Sequence, residues 1–152
     1  MQPLNPFKQT EGLCGPASLK ILLSHYGKDF TEEELAGLCD STVESGTNHQ
    51  GIRDALVSLG LHPLEKEGAT IEELRELIDE EIPVLVGWTK DGEDHYSVVY
   101  AVDETSVSMM DPEEDLGKAT LEMNEFEKAW HDFDSGTQRD TTHWLIAVSS
   151  IR

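Results

Sequence analysis

Pro83-Val84-Leu85-Val86-Gly87-Trp88 is where the hydrophobic pattern changes period. It is a short, continuous apolar run behind a proline, the form of a buried strand. Upstream the apolar residues recur at helical spacing. Leu19, Leu22, Leu23 and Tyr26 make one stripe, which Gly27 ends. Thr31 with Glu34 three residues on is a capping box, followed by Leu35 and Leu38. Ile52, Ala55, Leu56 and Leu59 make a third stripe, closed by Gly60. Thr70 and Glu73 repeat the capping box before Leu74, Leu77 and Ile78. Each stripe predicts a short amphipathic helix that must pack on something. Downstream, His95–Val102 reads as a second strand, Ser106–Met110 as a third and Trp144–Val148 as the last. A short helix with Phe126 and Trp130 is expected over Asn124–Asp132. Loops rich in Asp and Gly separate the strands, as in antiparallel meanders. Helices first and strands afterwards predict an α+β fold. The expectation is one domain over residues 1–152, helical over about 1–81 and a sheet over about 82–152.

Composition narrows the function. The 152 residues hold 31 Asp+Glu against 11 Lys+Arg, a formal charge of −20, and 38% are hydrophobic. A core is therefore available. So acidic a surface repels phosphate backbones, so neither nucleic acid nor an anionic membrane surface is an expected partner. It suits a salt-rich cytosol, where screening removes self-repulsion. No apolar run approaches the roughly 18 residues of a membrane span. The Met1-Gln2-Pro3-Leu4 start lacks the basic-then-apolar pattern of a secretory signal. Cys14 and Cys39, in dissimilar contexts, make no disulfide framework, which points to a reducing, cytoplasmic setting.

Cys14 is the most informative residue. It stands where a loop becomes a helix, and Pro16 suits a helix's first turn because its missing N–H would be unpaired there. Free N–H groups and the positive end of the helix dipole favour a thiolate at such a place. Cys39 rides beside an apolar stripe and is expected in the core. A cysteine nucleophile needs a base, and the base an orienting group. His95 follows the acidic turn Asp91–Asp94 and opens an apolar strand. Asp111 ends the next strand, where antiparallel pairing brings it beside His95. Gln9, five residues before Cys14, offers an amide donor to an oxyanion beside the Cys14 N–H. His131, Asp132, Asp134 and His143 fit no zinc spacing and are expected as surface and turn residues, so no metal and no cofactor are called for. Trp88, Trp130 and Trp144 are expected in the core.

Gln9-Thr-Glu-Gly-Leu-Cys14-Gly-Pro-Ala-Ser-Leu19, then His95-Tyr-Ser-Val-Val, then Asp111-Pro112, resembles the papain-like cysteine peptidases that process bacteriocin leaders. The order Gln, Cys, His, Asp matches, as do the Cys–His and His–Asp separations of 81 and 16 residues. Gly46-Thr47 and the strand after Pro83 also sit where that family has such features. The resemblance implies a papain-like fold, Cys14 as nucleophile, His95 as base, Asp111 as orienter and Gln9 as oxyanion donor. It implies a peptide or protein substrate, with a double-glycine leader as one candidate. Leader-processing members usually carry an acidic residue just before the cysteine, where this chain has Leu13. Their glutamine usually stands six residues before the cysteine, and Gln9 stands five before. A peptide-binding domain without catalysis, and acyl transfer by the same triad, are the rival readings.

Overall fold

In the computed structural model, which describes residues 4–150, three helices precede the first strand. They are α1 (Cys14–Ser24), α2 (Glu32–Leu38) and α3 (His49–Ser58). The sequence signals explain the helix starts. Thr31 caps α2 in a reciprocal box with Glu34. Asn48 caps α3 by accepting from the Gly51 N–H. A second box, Thr70 with Glu73, starts α4 (Ile71–Asp79). α1 has no side-chain cap, and eight of its eleven residues are buried. It is a central helix, apolar nearly all round, and not the amphipathic one its leucine stripe predicts.

The strands are β1 (His62–Lys66), β2 (Val84–Lys90), β3 (Glu93–Val102), β4 (Ser106–Met110), β5 (Lys118–Glu122), β6 (His131–Asp134), β7 (Arg139–Thr142) and β8 (Leu145–Ser150). Six form one antiparallel sheet in the order β1-β8-β2-β3-β4-β5; β6 and β7 form a separate ribbon. Alternate residues of β2 enter different cores. Leu85 joins Leu22, Leu23, Ile52 and Leu56 of α1 and α3. Val84 and Val86 join Leu74 of α4 and Phe126 of α5 (Met123–Ala129). A sheet covered on both faces explains the unbroken apolar run after Pro83. The fold is α+β with an antiparallel sheet, as the change of period predicts. Trp88, Trp130 and Trp144 are all in the core.

Two boundaries differ from the sequence reading. The helical half contains a strand, β1, which extends the sheet by pairing with β8. Its five residues, His62-Pro63-Leu64-Glu65-Lys66, alternate between exposed and half-buried, and no apolar period marks them. Pro63 is tolerated because β1 is an edge strand with a register shift at His62/Pro63. The last helix stops at Ala129 and does not reach Asp132. Trp130 leaves helical geometry, its carbonyl accepts the His143 N–H, and the chain continues as β6. Among the described residues no helix is long and apolar enough to cross a membrane.

Candidate active site

Cys14 is the first residue of α1, as the Gly15-Pro16 signal predicts. Gly15 is needed beside it: a Cβ there would lie 2.5 Å from Thr47 Oγ1. Thr47 is held against the helix start by Ser41, at 2.6 Å between hydroxyls, while Tyr96 Oη donates to the Thr47 carbonyl at 2.9 Å. The loop before α3 is thereby fixed as one wall beside the thiol.

His95 is set by a hairpin. Asp91 and Gly92 both have positive φ, 51° and 81°, the form of a two-residue type I′ turn. That turn pairs Lys90 with Glu93 and Trp88 with His95. β3 thus begins two residues before His95, which sits inside the strand and not at its opening. The ring is 5% exposed and meets Trp88 edge-on at 5.8 Å.

Asp111 follows β4 directly and is fully buried. Its Oδ1 accepts from His95 Nε2 at 2.6 Å and from the Glu113 N–H at 2.9 Å. Its Oδ2 accepts from Lys90 Nζ at 2.8 Å. Burial works against the carboxylate, but these bonds outweigh it and hold Asp111 below the usual range. Burial likewise works against a charged His95. The hydrogen bonds and charges of Asp111 and Cys14 overcome it and raise His95 to about 9. Since Nε2 is committed to Asp111, a proton exchanged with sulfur must travel through Nδ1. Cys39, by contrast, is 3% exposed, and burial, with the nearby Asp54 charge, pushes its thiol up to about 12.

Gln9 reaches the same place from the N-terminal segment. Its N–H donates to the Pro112 carbonyl at 2.8 Å, tying that segment to the turn after Asp111. Lys8 Nζ adds bonds to the Glu113 carbonyl and to Asp115. The Gln9 amide itself is loosely held. Nε2 lies 3.4 Å from the Thr10 carbonyl, and the buried Oε1 has no partner. The amide thus lines the recess beside Cys14 and His95 with one long donor contact.

Two recesses of about 330 Å³ each meet at Cys14 and His95. Gln9, Glu11, Lys90 and Glu113 line one. Val43, Gly46, Thr47, Tyr96 and Phe133 line the other. A cleft open on both sides of a thiol suits an extended chain passing across it. The geometry brings a thiol, an imidazole bonded to a buried carboxylate, and a side-chain amide to one cleft, the groups that acyl transfer through sulfur uses where it occurs.

The sequence reading missed two features of this site. Lys90 is the one lysine or arginine among the described residues lining the two recesses. The Asp91-Gly92 pair is a strong hairpin signal. It fixes the register that puts Lys90 on the same sheet face as Trp88 and His95. The second feature is a buried pair, His49 Nε2 to Asp132 Oδ2 at 2.7 Å. The His49 ring stacks on Trp144 at 3.8 Å, and Thr141 donates to Asp132 Oδ1. Asp132 and Asp134 are therefore buried, not surface and turn residues. Asp134 accepts from the His49 N–H and the Thr137 hydroxyl. A Cβ on Gly87 would collide with the Asp132 carboxylate, so glycine in β2 admits β6. His143 bonds the Ala69 carbonyl and stacks on Trp130, well apart in role from this pair. Among the described residues no three potential ligands converge on a metal position.

A model of the peptidase C39 family matches residues 7–133. An uncharacterized protein of Methanothermobacter thermautotrophicus is 36% identical over 116 residues, 76% of this chain and 74% of that protein. The lactococcin-G-processing and transport ATP-binding protein LagD of Lactococcus lactis subsp. lactis is 30% identical over 126 residues. The match covers 82% of this chain and only 17% of LagD, so the chain spans about a sixth of that transporter. Among solved structures, the peptidase domain of Streptococcus ComA, a bifunctional ABC transporter involved in quorum sensing, superposes with a TM-score of 0.76. It is 23% identical, with 99% of this chain and all of that one covered, which carries the fold.

Proposed function

The chain belongs to the peptidase C39 family, and from that premise we propose that it hydrolyses peptide or amide bonds with Cys14 as nucleophile, His95 as general base and acid, and Asp111 as the orienting carboxylate. Residues 1–152 act as one peptidase domain. The observation that carries the reading is the buried Asp111–His95 bond of 2.6 Å beside a half-buried cysteine at a helix start. In the resting pair the proton that Cys14 gives up sits on His95 Nδ1, and the sulfur attacks the carbonyl carbon as the thiolate. The oxyanion forms near the Cys14 N–H and the Gln9 amide. His95 then protonates the leaving amine, and the C–N bond breaks to leave a thioester on Cys14. Water, deprotonated by His95, releases the acid and restores the thiol. The reaction needs a reduced thiol, which a cytoplasmic setting keeps.

The substrate is a peptide lying across both recesses. A double-glycine leader is supported by the likeness to LagD, a lactococcin-G-processing and transport protein. Leu13 in place of an acidic residue separates this chain from the usual leader-processing pattern, so the panel must be wider than leaders. The experiment is turnover of fluorogenic peptides with and without Gly-Gly at the cleaved bond. Wild type is expected to cleave part of the panel, Cys14→Ala none of it, and Gln9→Ala about 10²–10³ fold more slowly. Equal turnover by Cys14→Ala and wild type would show that another group is the nucleophile. Binding of panel peptides without cleavage would favour the recognition-domain reading, and amine-dependent product would favour acyl transfer.

A further inference from the structure

Behind the His95–Asp111 pair stands a charged group that the mechanism above leaves unused. Lys90 ends β2, two residues past Trp88 and on the same face. Its side chain is 16% exposed. Nζ lies 2.8 Å from Asp111 Oδ2, 3.0 Å from Glu113 Oε1 and 3.1 Å from Glu114 Oε1. Burial disfavours the ammonium, yet these three carboxylates hold Lys90 above its ordinary range, so it stays charged.

Asp111 does not need the lysine in order to point at His95. Its Oδ1 is already held by the imidazole and by the Glu113 N–H. What the lysine adds is charge at the far oxygen. Apart from Lys90, the titratable groups that share the two recesses with His95 are acids, a thiol and a phenol. Cys14 comes from α1, Asp94 and Tyr96 from His95's own strand β3, Asp132 from β6, Glu44 from the loop before α3 and Glu11 from the N-terminal segment. Glu113 and Glu114 come from the turn after β4, Asp91 and Glu93 from the hairpin. In ionised form each favours the imidazolium. Trp88 covers the ring edge and carries no charge. Lys90 is the group that opposes them. A histidine that must both take a proton and release it to a leaving amine works poorly if its environment only holds the proton.

We propose that Lys90 is a positioning residue acting through Asp111: its ammonium takes up part of the carboxylate's charge at the far oxygen, so that Asp111 aligns the His95 ring while leaving its proton free to move. The proposal rests on the peptidase reading for its purpose, but its electrostatics can be measured without a substrate. The experiment follows the His95 ring by NMR of the full chain across pH in wild type, Lys90→Met and Lys90→Arg. In Lys90→Met the titration midpoint is expected to rise by about one pH unit. Lys90→Arg, which keeps the charge, is expected to retain the wild-type midpoint. On any panel peptide that wild type cleaves, Lys90→Met is expected to lower kcat several-fold near neutral pH with KM unchanged. An unchanged midpoint in Lys90→Met would show that His95 does not feel this charge. A lowered midpoint would show that Lys90 is only a tether whose loss lets the carboxylate swing away. Either overturns the proposal. If Lys90→Met fails to fold, Lys90→Gln gives the same readout. A wild type that cleaves no peptide would overturn the peptidase reading and leave the titration result standing.

Discussion

At the scale of single residues, the chemistry turns on where the His95 proton sits. The imidazole is raised to about 9 although burial alone would lower it, and the leading upward cause is the Asp111 hydrogen bond. His95 is therefore charged at neutral pH, the state the proposed mechanism uses to protonate a leaving amine, and on that mechanism turnover should fail as pH rises through about 9. Asp111→Asn removes the carboxylate charge while keeping the shape. It should move that alkaline limb to lower pH, toward the value of a free imidazole, and lower the maximum rate. A pH–rate profile of kcat/KM for the two proteins measures this; coincident limbs would mean that Asp111 does not set the His95 proton. Stability follows the same sign. A group whose folded value lies above its unfolded one stabilises fully below about 6.5, and that part is lost as pH rises through about 9. Thermal unfolding should show the loss in wild type and less of it in Asp111→Asn. Taken singly, Cys14, His95, Asp111 and Gln9 are weak signals; their order and spacing, through the family resemblance, single them out, and the structure brings all four together around one cleft. Lys90 was not legible, because a lone lysine in an acidic turn reads as solvated surface until the Asp91-Gly92 turn fixes the hairpin register.

At the scale of elements, the Cys14 end of α1 depends on close approach by the loop before α3. Gly15→Ala would drive a methyl group to 2.5 Å from Thr47 Oγ1, and Thr47 is pinned by Ser41 and Tyr96. The wall must shift or the helix must. The expected loss of stability is about 1–3 kcal/mol, as for other overpacked sites. Displacing the nucleophile should also slow turnover by about tenfold or more. Denaturant unfolding and panel kinetics on Gly15→Ala check both; wild-type values would mean that the contact is slack. Capping boxes and apolar periods made α2 and α4 readable from sequence, and the Pro83 run did the same for β2. β1, β5, β6 and β7 have four or five residues each and no comparable apolar run. β1 takes its form from β8, a partner distant in sequence, and β6 from the buried His49–Asp132 bond, while β5 and β7 pair with the strands just before them, β4 and β6. No local pattern records a distant partner.

At the scale of the molecule, 31 acidic groups against 11 lysines and arginines repel one another in the compact state. Among the described residues most of the ion pairs that offset this have at least one exposed partner, as in Lys8–Asp115, and such pairs count for little. Raising NaCl from about 0.05 M to about 1 M, where the screening length is about 3 Å, should therefore raise the Tm. A Tm that falls with salt would mean that attraction, not repulsion, dominates the surface. The same scale holds the central claim, because only the folded chain brings Cys14 of α1 to His95 of β3 and Asp111 beyond β4. In the unfolded chain Cys14 and Cys39 are two ordinary thiols. The most direct measurement is the rate of iodoacetamide labelling of each cysteine at pH 6, by peptide mapping, in native protein and in denaturant. Native Cys14 should label at least about a hundredfold faster than Cys39, whose thiol is buried and pushed up to about 12. His95→Ala should remove most of that advantage, and denaturant should bring the two rates together. Equal native rates, or faster labelling of Cys39, would contradict the assignment of Cys14 as the activated nucleophile.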